Sequence, residues 1–100
     1  MKCQFHPEAA EEFEEAVRYY RQRGEKLAPR FAREVRSAIR HIAATPDRWR
    51  VLEEDVRICK VQVFPYSVLY VVEDTYILLV AVMHGKRQPG YWRRRLRPSS

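Results

Sequence analysis

The segment 77–83 constrains the fold of this chain more than any other stretch. Its sequence, ILLVAVM, contains no polar residue. A run of this length is far shorter than the roughly 20 residues that cross a bilayer. A strand that is apolar on both faces belongs inside a sheet whose two sides are covered. We therefore expect a globular fold built around this strand, and the 100 residues suffice for a single domain, 1–100.

Two more strands precede this segment. In VRICKVQVF, residues 56–64, the alternate residues Cys59, Val61 and Val63 are apolar and share one face. SVLYVV, residues 67–72, is predicted to be the next strand. Short turns, which contain proline or two acidic residues, connect the strands into a three-strand antiparallel meander. KCQFH, at 2–6, adds a short N-terminal strand.

The apolar residues between these strands recur with helical spacing. EAAEEFEEAVRYY, residues 8–20, carries one apolar stripe, and LAPRFAREVRSAIRHI, residues 27–42, carries another. Two amphipathic helices joined by a short link form an antiparallel helical hairpin. TPDRWRVLEED, residues 45–55, is predicted to be a loop. The order β-α-α-β-β-β indicates an α+β domain with its helices on one face of the sheet, and the C-terminus has room for a short helix.

Positive charge is concentrated in the second half of the chain. Residues 1–55 carry 11 basic and 11 acidic side chains, whereas residues 56–100 carry 8 basic and 2 acidic ones and so hold the whole net charge of +6. A one-sided positive field attracts a phosphate backbone or an acidic protein. The cysteines Cys3 and Cys59 suit a reducing compartment, and the N-terminus has no secretory pattern. We therefore expect a basic cytoplasmic protein.

The segment VAVMHGKRQPGYWRRRL, residues 80–96, places aromatic rings among cations directly after the apolar strand. This composition suits nucleic acid or an acidic partner. Tyr91 and Trp92 equally suit an anchor that fixes the C-terminal segment to the sheet. His84 can equally be interpreted as a residue at the end of a strand whose imidazole is hydrogen-bonded to a loop carbonyl. Neither a metal site nor a glycine-rich phosphate loop is indicated, so no cofactor is expected.

Four strings carry a resemblance to a known family, and together they cover nearly the whole chain. They are FHPEAAEEFEEAVRYY, FAREVRSAIRHIAATPDRW, FPYSVLYVVED and VAVMHGKRQPGYWRRRL. In this order they resemble the RelE/ParE superfamily of toxins from bacterial type II toxin–antitoxin systems, of the plasmid-stabilisation type. The resemblance implies a β-α-α-β-β-β toxin that stops growth and is neutralised by a cognate antitoxin. It also implies one of two targets: ParE-like members bind DNA gyrase, and RelE-like members cut messenger RNA on the ribosome without a metal.

A nuclease of this kind needs a proton acceptor, a proton donor and cations on the phosphate. The catalytic candidates are Lys60, His84, Arg87 and Tyr91. Arg87 matches the arginine that follows the last strand in RelE-like members, and we expect the strand of Lys60 to lie beside the strand that ends at His84. Ile58 and Ser67, however, stand where RelE-like nucleases carry basic residues.

We therefore predict a ParE-like inhibitor of DNA gyrase that binds without catalysis. The alternatives are a ribosome-dependent mRNA endonuclease and a degenerate toxin that retains only antitoxin binding. No membrane partner is expected. The residues predicted to bind the target or the antitoxin form one rim at the end of the last strand: Lys60, Lys86, Arg87, Tyr91, Trp92, Arg93 and Arg94.

Overall fold

The computed structural model describes residues 1–96, which form an α+β fold. Its elements are β1 (Cys3–Phe5), α1 (Pro7–Arg21), α2 (Leu27–Ala44), β2 (Arg50–Glu53), β3 (Val56–Lys60), β4 (Tyr66–Val72), β5 (Ile77–His84) and a C-terminal 3₁₀ helix (Arg93–Leu96). Residues 97–100 of the predicted domain 1–100 lie outside the described residues. Neither α1 nor α2 is long and apolar enough to cross a membrane, and the same holds for every helix within residues 1–96.

The strands form one sheet in the order β1-β5-β4-β3-β2. β3, β4 and β5 make the predicted antiparallel meander. β1 lies parallel to β5 on its other side. β5 is therefore an interior strand, as its apolar sequence predicts.

The segment that follows α2 differs from the prediction in two places. The predicted loop 45–55 contains β2, which pairs with β3 across an irregularity between Val51 and Glu53. The sequence RVLE lacks polar and apolar alternation, so pairing with β3 decides its conformation. β3 ends at Lys60, and Val63 is 68% exposed with a φ of 74°. The expected strand through residue 64, with Val63 on its apolar face, is therefore wrong at its end.

The helical hairpin covers one face of the sheet. α1 begins at a cap in which Nδ1 of His6 accepts the Glu8 N–H at 3.1 Å. The apolar stripes of both helices pack on the sheet, and aromatic rings fill the centre of this core. The fully buried ring of Phe31 lies 5.1 Å from that of Tyr20 and 5.2 Å from that of Phe64, measured between ring centres.

The C-terminal segment covers the other face of the sheet. Trp92 is 1% exposed and packs in a second apolar cluster with Leu69, Val80 and Ala81. The register of β4 and β5 shifts between Leu69 and Tyr70, so that two consecutive residues of β5, Val80 and Ala81, belong to this cluster. Both faces of β5 are therefore covered, one by the hairpin and the other by the segment that follows β5 itself.

Candidate functional site

A cleft of about 170 Å³ opens between α1 and the C-terminal end of β5. α1 reaches it with Glu12, Ala16 and Tyr19, whose spacing of four and three residues places them on one helix face. Tyr66 and His84 line the opposite side, because they are direct partners in the pairing of β4 with β5. We call this cavity the β5 cleft. It is lined by Glu12, Glu15, Ala16, Tyr19, Tyr66, Val82, His84 and Arg87.

His84 is half-buried and has a defined tautomer. Its Nδ1 accepts the Lys86 N–H at 3.0 Å, and its ring lies edge-on to that of Tyr66 with centres 5.0 Å apart. Within residues 1–96 the hydrogen-bond partner of the ring is therefore this loop N–H and not a loop carbonyl, as the alternative expected. Since Nδ1 acts as an acceptor, the neutral imidazole carries its proton on Nε2. In this form the Nε2–H group can act as a hydrogen-bond donor, and Nε2 has no lone pair available to accept a proton.

Arg87 and Tyr91 lie together beside the cleft. The guanidinium carbon of Arg87 is 3.9 Å from the centre of the Tyr91 ring, which is a cation–π contact. The Tyr91 hydroxyl donates a hydrogen bond to Oε2 of Glu12 at 2.6 Å. Burial raises the pKa of Tyr91, and the bond to Glu12 raises it further. The phenol is therefore committed to a structural contact and is poorly suited to proton exchange with a substrate.

Glu12 holds the C-terminal segment, and sequence analysis missed it. Oε1 of Glu12 accepts the Val82 N–H at 3.0 Å, and the Arg95 guanidinium donates to both carboxylate oxygens, at 2.8 and 3.0 Å. β1 pairs with residues 77–79 of β5 and does not extend to Val82. The Glu12 carboxylate therefore supplies the acceptor that a neighbouring strand would otherwise offer to the Val82 N–H. The spacing of residues along α1 could have identified Glu12. It is three residues after the buried Ala9 and four before the buried Ala16, which places it on the buried face of the helix.

The three consecutive arginines form what we call the C-terminal clasp. Its ion pairs join Arg93 to Glu53, Arg94 to Glu8 and Arg95 to Glu12, with nitrogen–oxygen distances of 2.7, 2.5 and 2.8 Å. The hydrogen bond from Arg94 lowers the pKa of Glu8, and that from Arg93 lowers the pKa of Glu53. The Arg95 side chain is 4% exposed. Burial is the largest single influence and disfavours its charge, but the bond to Glu12 and the nearby charges of Glu12 and Glu8 together outweigh burial and raise the pKa of Arg95.

The clasp pairs part of the excess positive charge of residues 56–100 with carboxylates of the same chain. Arg93 and Arg94 were expected to face a target or the antitoxin, but each is bonded to a carboxylate of the first 55 residues through two nitrogens. Trp92, predicted for the same rim, is 1% exposed and lies in the second core. Its placement agrees with the alternative in which the aromatics anchor the C-terminal segment.

The structure does not bring Lys60 to the same edge as His84, Arg87 and Tyr91. Lys60 is an exposed residue of β3, and β4 lies between β3 and β5. The expectation that these two strands are neighbours is therefore wrong. Lys60 lines a separate pocket beside Ser37 and His41 of α2, whereas His84 lines the cleft beside α1. Of the predicted site residues, those that remain together at the end of β5 are His84, Lys86, Arg87 and Tyr91.

Metal-ligating side chains are not grouped in this part of the molecule. Within residues 1–96, no three or more His, Cys, Asp or Glu side chains are arranged to hold a metal ion. Cys3 and Cys59 are both free thiols, and burial raises the pKa of each. The chemistry available at the β5 cleft is therefore that of carboxylates, an imidazole, phenols and a guanidinium.

Comparison with known proteins gives the family of the chain. The model of one family, described as ParE toxin of type II toxin-antitoxin system, parDE, matches residues 3–89. The match spans both helices, all five strands and every residue that lines the β5 cleft. No curated protein matches the chain. Because the match covers most of its length, the chain belongs to the ParE family of toxins from type II toxin–antitoxin systems.

Proposed function

We propose that this toxin inhibits DNA gyrase by binding to it and catalyses no reaction. Its family makes it a toxin of a type II toxin–antitoxin module, with an antitoxin as its partner. The observation that supports binding over catalysis is that Lys60 lies apart from the cleft that is lined by His84 and Arg87. Lys60 lies on β3, which β4 separates from β5, and it does not line the β5 cleft, which argues against a single site formed by all the predicted nuclease residues.

Metal-free RNA cleavage requires a base for the 2′-hydroxyl, an acid for the leaving oxygen and cations for the phosphate. At the β5 cleft, Nδ1 of His84 is already bonded, and the Tyr91 hydroxyl is bonded to Glu12. Among the residues that line this cleft, Arg87 is the one cation. Losing a single electrostatic group from such a site costs about 3–4 kcal/mol of transition-state stabilisation. An arrangement that lacks Lys60 is therefore better suited to binding than to cleavage.

The rim of the β5 cleft supplies a binding surface. Lys86 and Arg87 are exposed at the end of β5, and Tyr19 is 48% exposed among the residues that line the cleft. Tyrosine and arginine beside a cavity are typical of residues that dominate interface energetics. We assign contact with gyrase to this rim. Binding of the antitoxin at the same rim would exclude gyrase and so neutralise the toxin.

Purified chain in a gyrase supercoiling reaction tests this proposal, with ribosome-bound message assayed in parallel. We expect inhibition of supercoiling and intact message. Arg87→Ala removes one of the two exposed cations of the rim, the one that lines the cleft, and is expected to weaken inhibition at least about tenfold. Arg50→Ala is the matched control, because Arg50 is an exposed cation on β2, the far edge strand of the sheet. Normal supercoiling in the presence of excess wild-type chain would contradict the proposal.

A second candidate function is ribosome-dependent cleavage of mRNA. The observation that favours it is the common cleft of Glu15, His84 and Arg87, a carboxylate, an imidazole and a cation. Cleavage of message in the ribosomal A site that is lost in His84→Ala and Arg87→Ala, but retained in Arg50→Ala, would establish it over gyrase inhibition. Normal growth after expression of the chain alone would favour the third candidate, a degenerate toxin that only binds its antitoxin.

We further propose that the toxin acts in the cytoplasm and that a cognate antitoxin gene adjoins its own. Both candidate targets, gyrase and the translating ribosome, lie in that compartment. Inspection of the neighbouring reading frames tests the second statement, and an isolated toxin gene would contradict it.

A further inference from the structure

A stripe of cations runs along the exposed side of α2. Its members are separated by four, three, three and four residues, which keeps them on one helix face. They are Lys26, at the cap of the helix, and Arg30, Arg33, Arg36 and Arg40. All five are exposed, whereas the opposite face of α2 is buried against the sheet through Phe31, Val35 and Ile42. We call this surface the α2 stripe.

The cations of the α2 stripe are not neutralised by the fold. Within residues 1–96, none of them takes part in an ion pair within 4.0 Å or in a side-chain hydrogen bond, although the clasp arginines do both. The one acidic residue of α2, Glu34, is half-buried. The clasp pairs Arg93, Arg94 and Arg95 with carboxylates, whereas the cations of the α2 stripe are exposed and unpaired within residues 1–96, so the helical side carries an exposed positive surface.

Helix α1 extends this positive surface. Arg18 and Arg21 of α1 and Arg36 of α2 line one groove of about 290 Å³ between the two helices, together with the acidic Glu14. Cations from both helices therefore converge on one side of the hairpin. This side faces away from the sheet that packs beneath both helices.

The geometry of the stripe identifies the class of partner. From Lys26 to Arg40 the helix rises about 21 Å, at about 1.5 Å per residue, so the charges form a straight and regular array. A regular array of this kind complements a repeated phosphate backbone. Single-stranded nucleic acid is bound through aromatic stacking platforms, and the aromatic residue of α2, Phe31, is fully buried. A helix fits the major groove of B-DNA, which is about 12 Å wide, whereas that of duplex RNA is too narrow.

We propose that the α2 stripe binds the phosphate backbone of duplex DNA without sequence preference. The negative charge of the phosphates neutralises the stripe, and the rigid helix holds the cations on one face. The inference does not depend on the target of the toxin, because the stripe and the β5 cleft share no residue.

Fluorescence anisotropy of a labelled DNA duplex of about 20 base pairs, measured at several salt concentrations, tests the proposal. The triple variant Arg33→Gln/Arg36→Gln/Arg40→Gln removes three charges and keeps good helix formers. We expect the slope of log affinity against log salt to decrease by about 3, and the affinity at 0.1 M salt to fall at least about tenfold. The control Lys2→Gln/Arg48→Gln/Arg50→Gln removes three exposed cations elsewhere and should bind more tightly than the stripe variant.

Three results would overturn the proposal: absence of duplex binding by the wild-type chain, equal affinities of the stripe and control variants, or tighter binding of single-stranded DNA or duplex RNA of the same sequence. Circular dichroism checks that the variants are folded. If the triple variant does not fold, Arg36→Gln alone must lower the slope by about 1, and an unchanged slope contradicts the proposal.

Discussion

Replacement of Glu12 by alanine should destabilise this toxin more than replacement of any acidic residue on the exposed face of α1. The Glu12 carboxylate accepts hydrogen bonds from the Val82 N–H, the Tyr91 hydroxyl and the Arg95 guanidinium. It therefore joins α1, β5 and the C-terminal segment that buries Trp92. Glu12→Ala removes all of these acceptors at once and leaves the Arg95 charge without its closest partner.

The magnitude follows from the burial of the pair. The side chains of Arg95 and Glu12 are 4% and 15% exposed, so this is an ion pair largely withdrawn from water. Removing one partner of such a pair costs about 3–5 kcal/mol. Glu8 moderates the loss, because its Oε2 lies 3.8 Å from Nε of Arg95. We expect the free energy of unfolding to fall by about 3 kcal/mol, a large part of the roughly 5–15 kcal/mol that stabilises a domain.

Urea unfolding followed by tryptophan fluorescence measures this loss. Glu11→Ala is the matched control, because Glu11 is the preceding residue of α1 and is exposed. Its effect should stay within about 0.5 kcal/mol. In the double variant Glu12→Ala/Arg95→Ala the loss should be smaller than the sum of the two single losses, because the partners are coupled. Equal stabilities of Glu12→Ala and Glu11→Ala would refute the role of Glu12 as the anchor of the clasp.

Three further predictions concern the stability of the fold, each measured by urea unfolding. Trp92→Ala should cost about 3–5 kcal/mol because the ring is fully packed, and a cost below about 1 kcal/mol would contradict the second core. Val63→Gly should raise stability by about 1 kcal/mol, because a β-branched residue at a φ of 74° is strained; a loss would contradict this strain. The pKa values of Glu8 and Glu53 are lower in the folded protein than the ordinary carboxyl value of 4.5. Their contribution to the free energy of unfolding is therefore fully present above that ordinary value and is lost as the pH falls from it through the lowered folded pKa. Arg93→Gln/Arg94→Gln should weaken this loss on acidification, and an unaltered pH profile would exclude the two pairs as its source.

Local patterns in the sequence predicted the elements that depend on a strong hydrophobic period. The stripes of α1 and α2, the meander and the interior position of β5 were all predicted correctly. β2 was missed because the four residues Arg50–Glu53 lack alternation and become a strand only by pairing with β3. The end of β3 was missed because Val63 continues the apolar period although its backbone leaves the strand conformation.

The site was predicted less well, because its organisation depends on residues distant in the sequence. Arg94 and Glu8 are 86 residues apart, and Arg93 and Glu53 are 40 apart. Counting charges showed an excess of arginine near the C-terminus, but it did not show that acidic residues of α1 and β2 neutralise it. The prediction that the strands of Lys60 and His84 are neighbours was wrong for a similar reason. Strand order decides which side chains meet, and β4 separates the two strands.

Expression of the chain without its antitoxin in bacteria tests the central claim most directly, with plasmid topology and ribosome-bound message read from the same culture. We expect plasmid DNA to lose negative supercoiling while the message stays intact, and we expect Arg87→Ala to reduce the effect more than Arg50→Ala. Message cut in the ribosomal A site, together with normally supercoiled plasmid, would contradict inhibition of gyrase by binding.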